Sequence, residues 1–154
     1  MSAATNKQLM QQAFDELAKG NGTPFVDAMA EDFSWKAIGT TAWSRPYHGK
    51  QAVLTEMFRP LFAQFTTQYT STAIRILAED EYVVVECRGK VMTQSGQAYN
   101  NEYCYVIRFA GGKMRELTEY FDTELVTSAL RPPETTDAHD GMTMALRGHG
   151  AVAL

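Results

Sequence analysis

The chain has 154 residues and a net charge of −4, from 14 Lys and Arg against 18 Asp and Glu. That length suits one domain with a core of its own, and that charge excludes a nucleic-acid surface built on a basic stripe. No apolar run approaches the ~20 residues of a membrane span. Met1 to Thr23 also lacks the basic start and apolar middle of a signal peptide, so two free cysteines in a cytoplasmic setting are the expectation.

Asn6 to Lys19 predicts an amphipathic helix, with Leu9, Met10, Ala13, Phe14 and Leu17 at helical spacing and Gly20-Asn21-Gly22 stopping it. Thr23 is placed to cap a short second helix with Pro24 at its first position. Phe33 to Ile38 reads as a strand with Trp35 and Ala37 on one side, followed by a loop from Gly39 to Gly49 that holds Trp43, Tyr47 and His48. A third helix is expected from Lys50 to about Phe65, kinked at Pro60, where the ring removes an N–H. Thr66 to Ala78 and Glu81 to Met92 read as strands. Gly96 to Asp122 reads as two long strands folded at Ala110-Gly111-Gly112, rich in aromatic and β-branched residues. Thr123 to Leu130 closes with a helical turn. This order, helices first and then mostly antiparallel strands, predicts an α+β domain over residues 1–130 and a C-terminal tail over residues 131–154.

Strand register follows from the turns. A two-residue turn at Ser95-Gly96 pairs Arg88 with Tyr103, Glu86 with Tyr105 and Cys87 with Cys104. Tyr82, Val84, Glu86 and Arg88 then share a face with Asn101, Tyr103, Tyr105, Ile107 and Phe109. Val83, Val85, Cys87 and Val91 share the other with Cys104 and Val106. Pattern alone leaves open which face is core; with the valines inside, Glu86 and Arg88 become a solvated pair. It also leaves Glu119 open. A two-residue turn at Gly111-Gly112 pairs it with Cys104, whereas a three-residue loop with a glycine bulge pairs it with Tyr103.

Tyr99-Asn100-Asn101-Glu102-Tyr103 and Gly112-Lys113-Met114 leading to Glu119-Tyr120-Phe121-Asp122 resemble the SnoaL-like, ketosteroid isomerase-related branch of the nuclear transport factor 2-like superfamily. Ala30-Glu31-Asp32-Phe33 and His48-Gly49-Lys50 match it too. The resemblance spans about Asn6 to Leu130. It implies a cone-shaped α+β barrel, a curved mostly antiparallel sheet packed on N-terminal helices around an apolar pocket. It favours the three-residue loop, turns Trp35, Ala37, Glu86, Arg88, Asn101, Tyr103, Tyr105, Glu119 and Phe121 toward that pocket, and gives the Val83, Val85, Cys87, Cys104 and Val106 face to a homodimer. Limonene epoxide hydrolases of this superfamily have a catalytic acid at the position of Glu119. Their Arg-x-Asp pair falls at Glu86 and Arg88 with the charges reversed, and their water-holding residues fall at Trp35 and Ala37. The steroid isomerases' general base falls near Ala37, while one oxyanion donor falls at Tyr105.

Glu119, Arg88 and Glu86 are therefore the candidate catalytic residues. Trp35, Trp43, Asn101, Tyr103, Tyr105 and Phe121 are the candidate binding wall for a small apolar or aromatic molecule. A carboxyl in an apolar pocket has its pKa raised, which suits proton transfer near neutrality. A structural Glu–Arg pair and plain aromatic core packing explain the same residues without a ligand. His48 suits the start of a helix more than a base. His139 and His149, near Asp137 and Asp140, fit no metal spacing, so neither metal nor cofactor is expected. The expected activity is cofactor-free isomerisation or cyclisation of an apolar carbonyl compound. Hydrolysis or hydration of the limonene epoxide hydrolase type, and non-catalytic binding, are the alternatives.

Overall fold

The structure, a computed structural model, describes residues 1–134. Most of the tail lies outside the described residues, including both of its histidines and its apolar positions from Met142 to Leu154. Helix α1 (Ala3–Leu17) starts at Ser2, whose hydroxyl accepts from the Thr5 N–H, and buries Asn6, Met10, Ala13, Phe14 and Leu17. Helix α2 (Thr23–Asp27) begins after Gly22, not at a Thr23 cap; Asn21 Oδ1 instead accepts from the Thr23 N–H. Helix α3, residues 50–62, has α turns at Lys50–Ala52 and Arg59–Phe62 around a π-helical segment, Val53–Phe58. The wide turn takes up the kink expected at Pro60, whose ring nitrogen cannot donate to the preceding turn. Helix α4 (Thr123–Ala129) starts at Asp122, whose carboxylate accepts from the Leu125 N–H. No helix among the described residues is long and apolar enough to cross a membrane.

Among the described residues six strands form one sheet: β1 (Met29–Ala37), β2 (Pro46–His48), β3 (Thr70–Glu79), β4 (Tyr82–Lys90), β5 (Glu102–Ala110) and β6 (Lys113–Phe121). Their order is β2-β1-β6-β5-β4-β3, and only the β1–β6 pair is parallel. The sheet is curved and its inner face packs on the helices, as in a cone-shaped α+β fold. Trp35 and Tyr105 from the sheet meet Phe14 and Phe25 from α1 and α2, with ring centroids 5.5–6.5 Å apart.

Two turns correct the expected register, and each does what was expected of the other. Between β4 and β5 the loop has three residues, Gln94-Ser95-Gly96, with Thr93 N–H donating to Gln97 O and Gly96 at φ 82°. That extra residue pairs Arg88 with Glu102, Cys87 with Tyr103, Glu86 with Cys104 and Val85 with Tyr105. A slip of one residue exchanges the faces of a strand. Val83, Val85 and Cys87 therefore lie in the core, at 0–1% exposure, and Glu86 and Arg88 lie outside.

Between β5 and β6 the turn has two residues, Gly111-Gly112, at φ 59° and 75°, the left-handed values that glycine tolerates. A bulge then follows, because Phe109 pairs with Met114 and Arg108 with Glu116, leaving Arg115 over. Arg115 reaches Asp32 on β1 at 2.7 Å. Turn and bulge together pair Glu119 with Tyr105, two residues from the expected Tyr103 and so on the same face.

Asn101, fully buried, ties the start of β5 to the end of β6. Its Oδ1 accepts from the N–H groups of Glu102 (2.8 Å) and Asp122 (3.1 Å), and its Nδ2 donates to Asp122 O and to the Tyr99 hydroxyl. Asn101→Leu keeps the branching and the number of side-chain heavy atoms and leaves these backbone groups unpaired. It should cost about 3 kcal/mol, read as a lowered urea midpoint; a midpoint within error of wild type would show that water replaces the side chain freely.

Candidate active site

Glu119 sits near the end of β6, between β1 and β5, where Ala37 and Tyr105 flank it across the ladders. Backbone pairing on both sides fixes where its side chain leaves the sheet. Trp35 from β1, Tyr103 and Tyr105 from β5, and Phe121 from β6 share that inner face and line a pocket with it. Met57, Phe58, Leu61 and Phe62 of α3 form the opposite wall, and Trp43, Val126 and Leu130 close the mouth. The free space within it is about 50 Å³, room for a few water molecules.

The Glu119 carboxyl keeps some accessible surface onto this pocket and is otherwise surrounded by protein. Burial pushes its pKa up to about 8 because the charged form loses its hydration. The Trp35 indole N–H and the Tyr105 hydroxyl turn their positive ends toward it and oppose that rise, by less. The indole N–H is buried and makes no closed hydrogen bond, so its effect is that of a nearby dipole. Among the described residues no Lys, Arg or His lines the pocket. Burial likewise raises the pKa of the Tyr103 and Tyr105 phenols, so both stay protonated donors.

Of the three expected catalytic residues, only Glu119 faces the pocket. Arg88 lies on the outer face and pairs with Glu102 at 3.0 Å, and Glu86 lies there with Arg75 at 3.1 Å. The three-residue loop before β5 put them there. Among the described residues, therefore, no Arg faces Glu119, and no second carboxylate stands by to share a water with it. Trp35, Trp43, Tyr103, Tyr105 and Phe121 line the pocket as expected, while Asn101 holds the strands behind it. His48 is exposed on β2, outside the lining. Cys87 and Cys104, expected as opposed neighbours, lie on opposite faces, and both are free.

Two lining tyrosines went unread in the sequence. Tyr69 precedes β3 and stacks on Phe65, with its hydroxyl over Gly89, where a Cβ would come within 2.5 Å of it. A glycine on the inner face of a strand was the available signal. Tyr99 stands in a quoted motif, but only the backbone shows that its ring reaches Phe65 and its hydroxyl reaches Asn101. Among the described residues no cluster of His, Cys, Asp and Glu has the arrangement of a metal site.

Comparison with known proteins agrees with this architecture. Bal32a, from a soil-derived mobile gene cassette, superposes with a TM-score of 0.72 at 18% identity, over 84% of this chain and 98% of its own. A protein of Jannaschia sp. CCS1 described as a SnoaL-like polyketide cyclase gives 0.68 at 17% identity, over 86% and 95%. TerC, co-crystallised with polyporic acid, gives 0.68 at 13% identity, over 81% and 97%. At these identities the likeness is one of fold. No curated protein sequence matches the chain. The SnoaL-like domain matches residues 10–117, the stretch that builds both the aromatic wall and the strand leading to Glu119, and the chain belongs to the SnoaL-like domain family.

Proposed function

We propose that the protein is a cofactor-free isomerase or cyclase that moves a proton on a small apolar carbonyl compound, with Glu119 as its acid and base. One observation carries this reading: a carboxyl in an aromatic pocket without a cation, with its pKa near 8. Such a group exchanges a proton with a weakly acidic carbon at neutral pH without being locked in either form. The ionised carboxylate would take the proton next to the carbonyl, and the Tyr105 hydroxyl would donate to the enolate oxygen that forms. Protonated Glu119 then returns the proton at another carbon, which is isomerisation. Alternatively, the enolate carbon attacks a second carbonyl, and Glu119 protonates the resulting alkoxide, which is cyclisation. The polyketide cyclase description of the Jannaschia protein and the polyporic acid co-crystallised with TerC support this reading.

A second reading, a binding module without chemistry, draws on the small free volume of the pocket. Hydration through a water shared by Glu119 and Glu86 loses its support, because Glu86 is on the outer face.

We extend the proposal to a homodimer in the cytoplasm. Val83, Val85 and Cys87 are core residues and leave the expected interface. Cys104 and Val106 remain on the outer face, joined by Val84 and Tyr120, and Tyr82, Leu77 and Tyr120 there are 43–55% exposed. Apolar side chains grouped on one face favour a partner. Sedimentation should give a dimer at micromolar concentration and a monomer for Val106→Arg; a monomeric wild type ends this part of the proposal.

Glu119 can be tested before any substrate is known. Its ordinary pKa is 4.5 and its folded value about 8. Between these, the unfolded carboxyl is ionised while the folded one keeps its proton. The folded state binds more protons, and stability falls as pH rises through this window. The urea midpoint of the wild type should therefore drop from pH 4.5 to pH 8 relative to Glu119→Gln, then run parallel to it. Parallel curves throughout would refute the raised pKa. Against a carbonyl substrate that the wild type turns over, Glu119→Gln should lose on the order of 10²–10⁴-fold in rate, whereas a binding module keeps its affinity.

A further inference from the structure

We propose that the Gln64 side-chain amide and the Trp43 indole form a latch on the Arg131 backbone, and that its release swings Val126–Arg131 aside to admit the ligand. The proposal rests on the binding half of the reading above, not on its chemistry. Its starting point is volume. The pocket holds about 50 Å³ of free space, against roughly 300 Å³ or more for ordinary ligand sites. Some wall must therefore yield.

The floor is sheet, with backbone pairing on both sides of Glu119. The roof is a short helix and its exit, where Val126 and Leu130 turn apolar side chains into the pocket. The near end of that roof is fixed, since Asn101 holds both backbone groups of Asp122. Its far end is held differently. The Arg131 N–H donates to Gln64 Oε1 at 2.8 Å, Gln64 Nε2 donates to Arg131 O at 3.0 Å, and Trp43 Nε1 donates to the same oxygen at 3.1 Å.

Pro132 explains why one side-chain amide grips both groups. The residue before a proline is held extended, and an extended residue turns its N–H and C=O to the same side, as in a ladder. Gln64 is buried and Arg131 is exposed. Water can thus replace the protein partner on the Arg131 side as the roof lifts. Among the described residues the roof is fixed to the sheet at one end. At the other it is held by side chains, with three bonds to the Arg131 backbone and one from the Arg131 guanidinium to Gln94, so this is the end built to open.

The chain has two tryptophans, and their indole N–H signals report the two places of interest, Trp43 the latch and Trp35 the pocket. The experiment follows hydrogen exchange at the Arg131 amide and the Trp35 indole, with 2-naphthol as the binding probe. In Gln64→Leu, two hydrogen bonds are lost, and both sites should exchange roughly tenfold faster, while the Ile107 amide in the sheet keeps its rate. 2-Naphthol should associate and dissociate faster by a similar factor, with little change in affinity. Trp43→Phe removes one bond and should give a smaller change in the same direction, which keeps the test available if Gln64→Leu folds poorly. Unchanged Trp35 exchange in a folded Gln64→Leu, or an equal acceleration at Ile107, overturns the latch. Accelerated exchange without any 2-naphthol binding supports the latch and counts against the ligand pocket instead.

Discussion

The pairing parity of β4 and β5 is the constraint on which the rest of the molecule depends. Side chains alternate along a strand, so one residue more or less in the connecting loop decides which half of β4 enters the core. The loop Gln94-Ser95-Gly96, with Gly96 in the left-handed region, sets that count. It sends Val83, Val85 and Cys87 inward to meet Tyr103, Tyr105 and Ile107, and it sends Glu86 and Arg88 out to water. Had Arg88 turned inward, its guanidinium would favour the ionised form of Glu119 and hold its pKa down. The character of the pocket is thus decided about twenty residues before Glu119 in the chain.

Given that parity, the pocket is a set of neutral donors in an aromatic cage. Trp35, Tyr103 and Tyr105 carry N–H and O–H groups, and Glu119 joins them as a protonated acid below about pH 8. Their positions need no rearrangement to act, because Trp35, Tyr105 and Glu119 lie on three adjacent paired strands. Trp35 is locked further by Phe33, Phe58 and Tyr105, whose rings meet it edge-on at 5.5–6.3 Å. On the proposed latch, the rigid floor would hold a ligand and the roof would let it in.

How much of this the sequence showed depended on whether it was spacing or counting. Spacing was legible: the face of α1 from Met10 to Leu17, the aromatic residues of β5, and a chain reversal within Ala110-Gly111-Gly112. Counting was not. Glycines mark both hairpin turns, and a glycine in a left-handed conformation suits a two-residue turn and a three-residue loop alike. Glu119 kept its face because the actual register differs from the expected one by two; Glu86 and Arg88 lost theirs because it differs by one. The bulge at Arg115 is settled by Asp32, more than eighty residues away. Tyr69 comes into the pocket over Gly89 from the far edge of the sheet, a contact that no local pattern encodes.

The aromatic lining alone does not separate a site from a core, since Phe14, Phe25 and Phe58 pack as well with no ligand. Glu119 separates them. A carboxyl retained for stability would be paired with a cation or with closed hydrogen bonds, and either would lower its pKa. Here the pKa is raised, the pocket wall offers no cation, and the nearby indole N–H stops short of a bond. In the folded state its ionised form is therefore disfavoured, and the Trp35 and Tyr105 donors offset only part of that. Leucine or glutamine at this place would pack without that penalty. An acid without a cation beside it in an apolar pocket opposes folding, and the proton transfer proposed above would account for its place there.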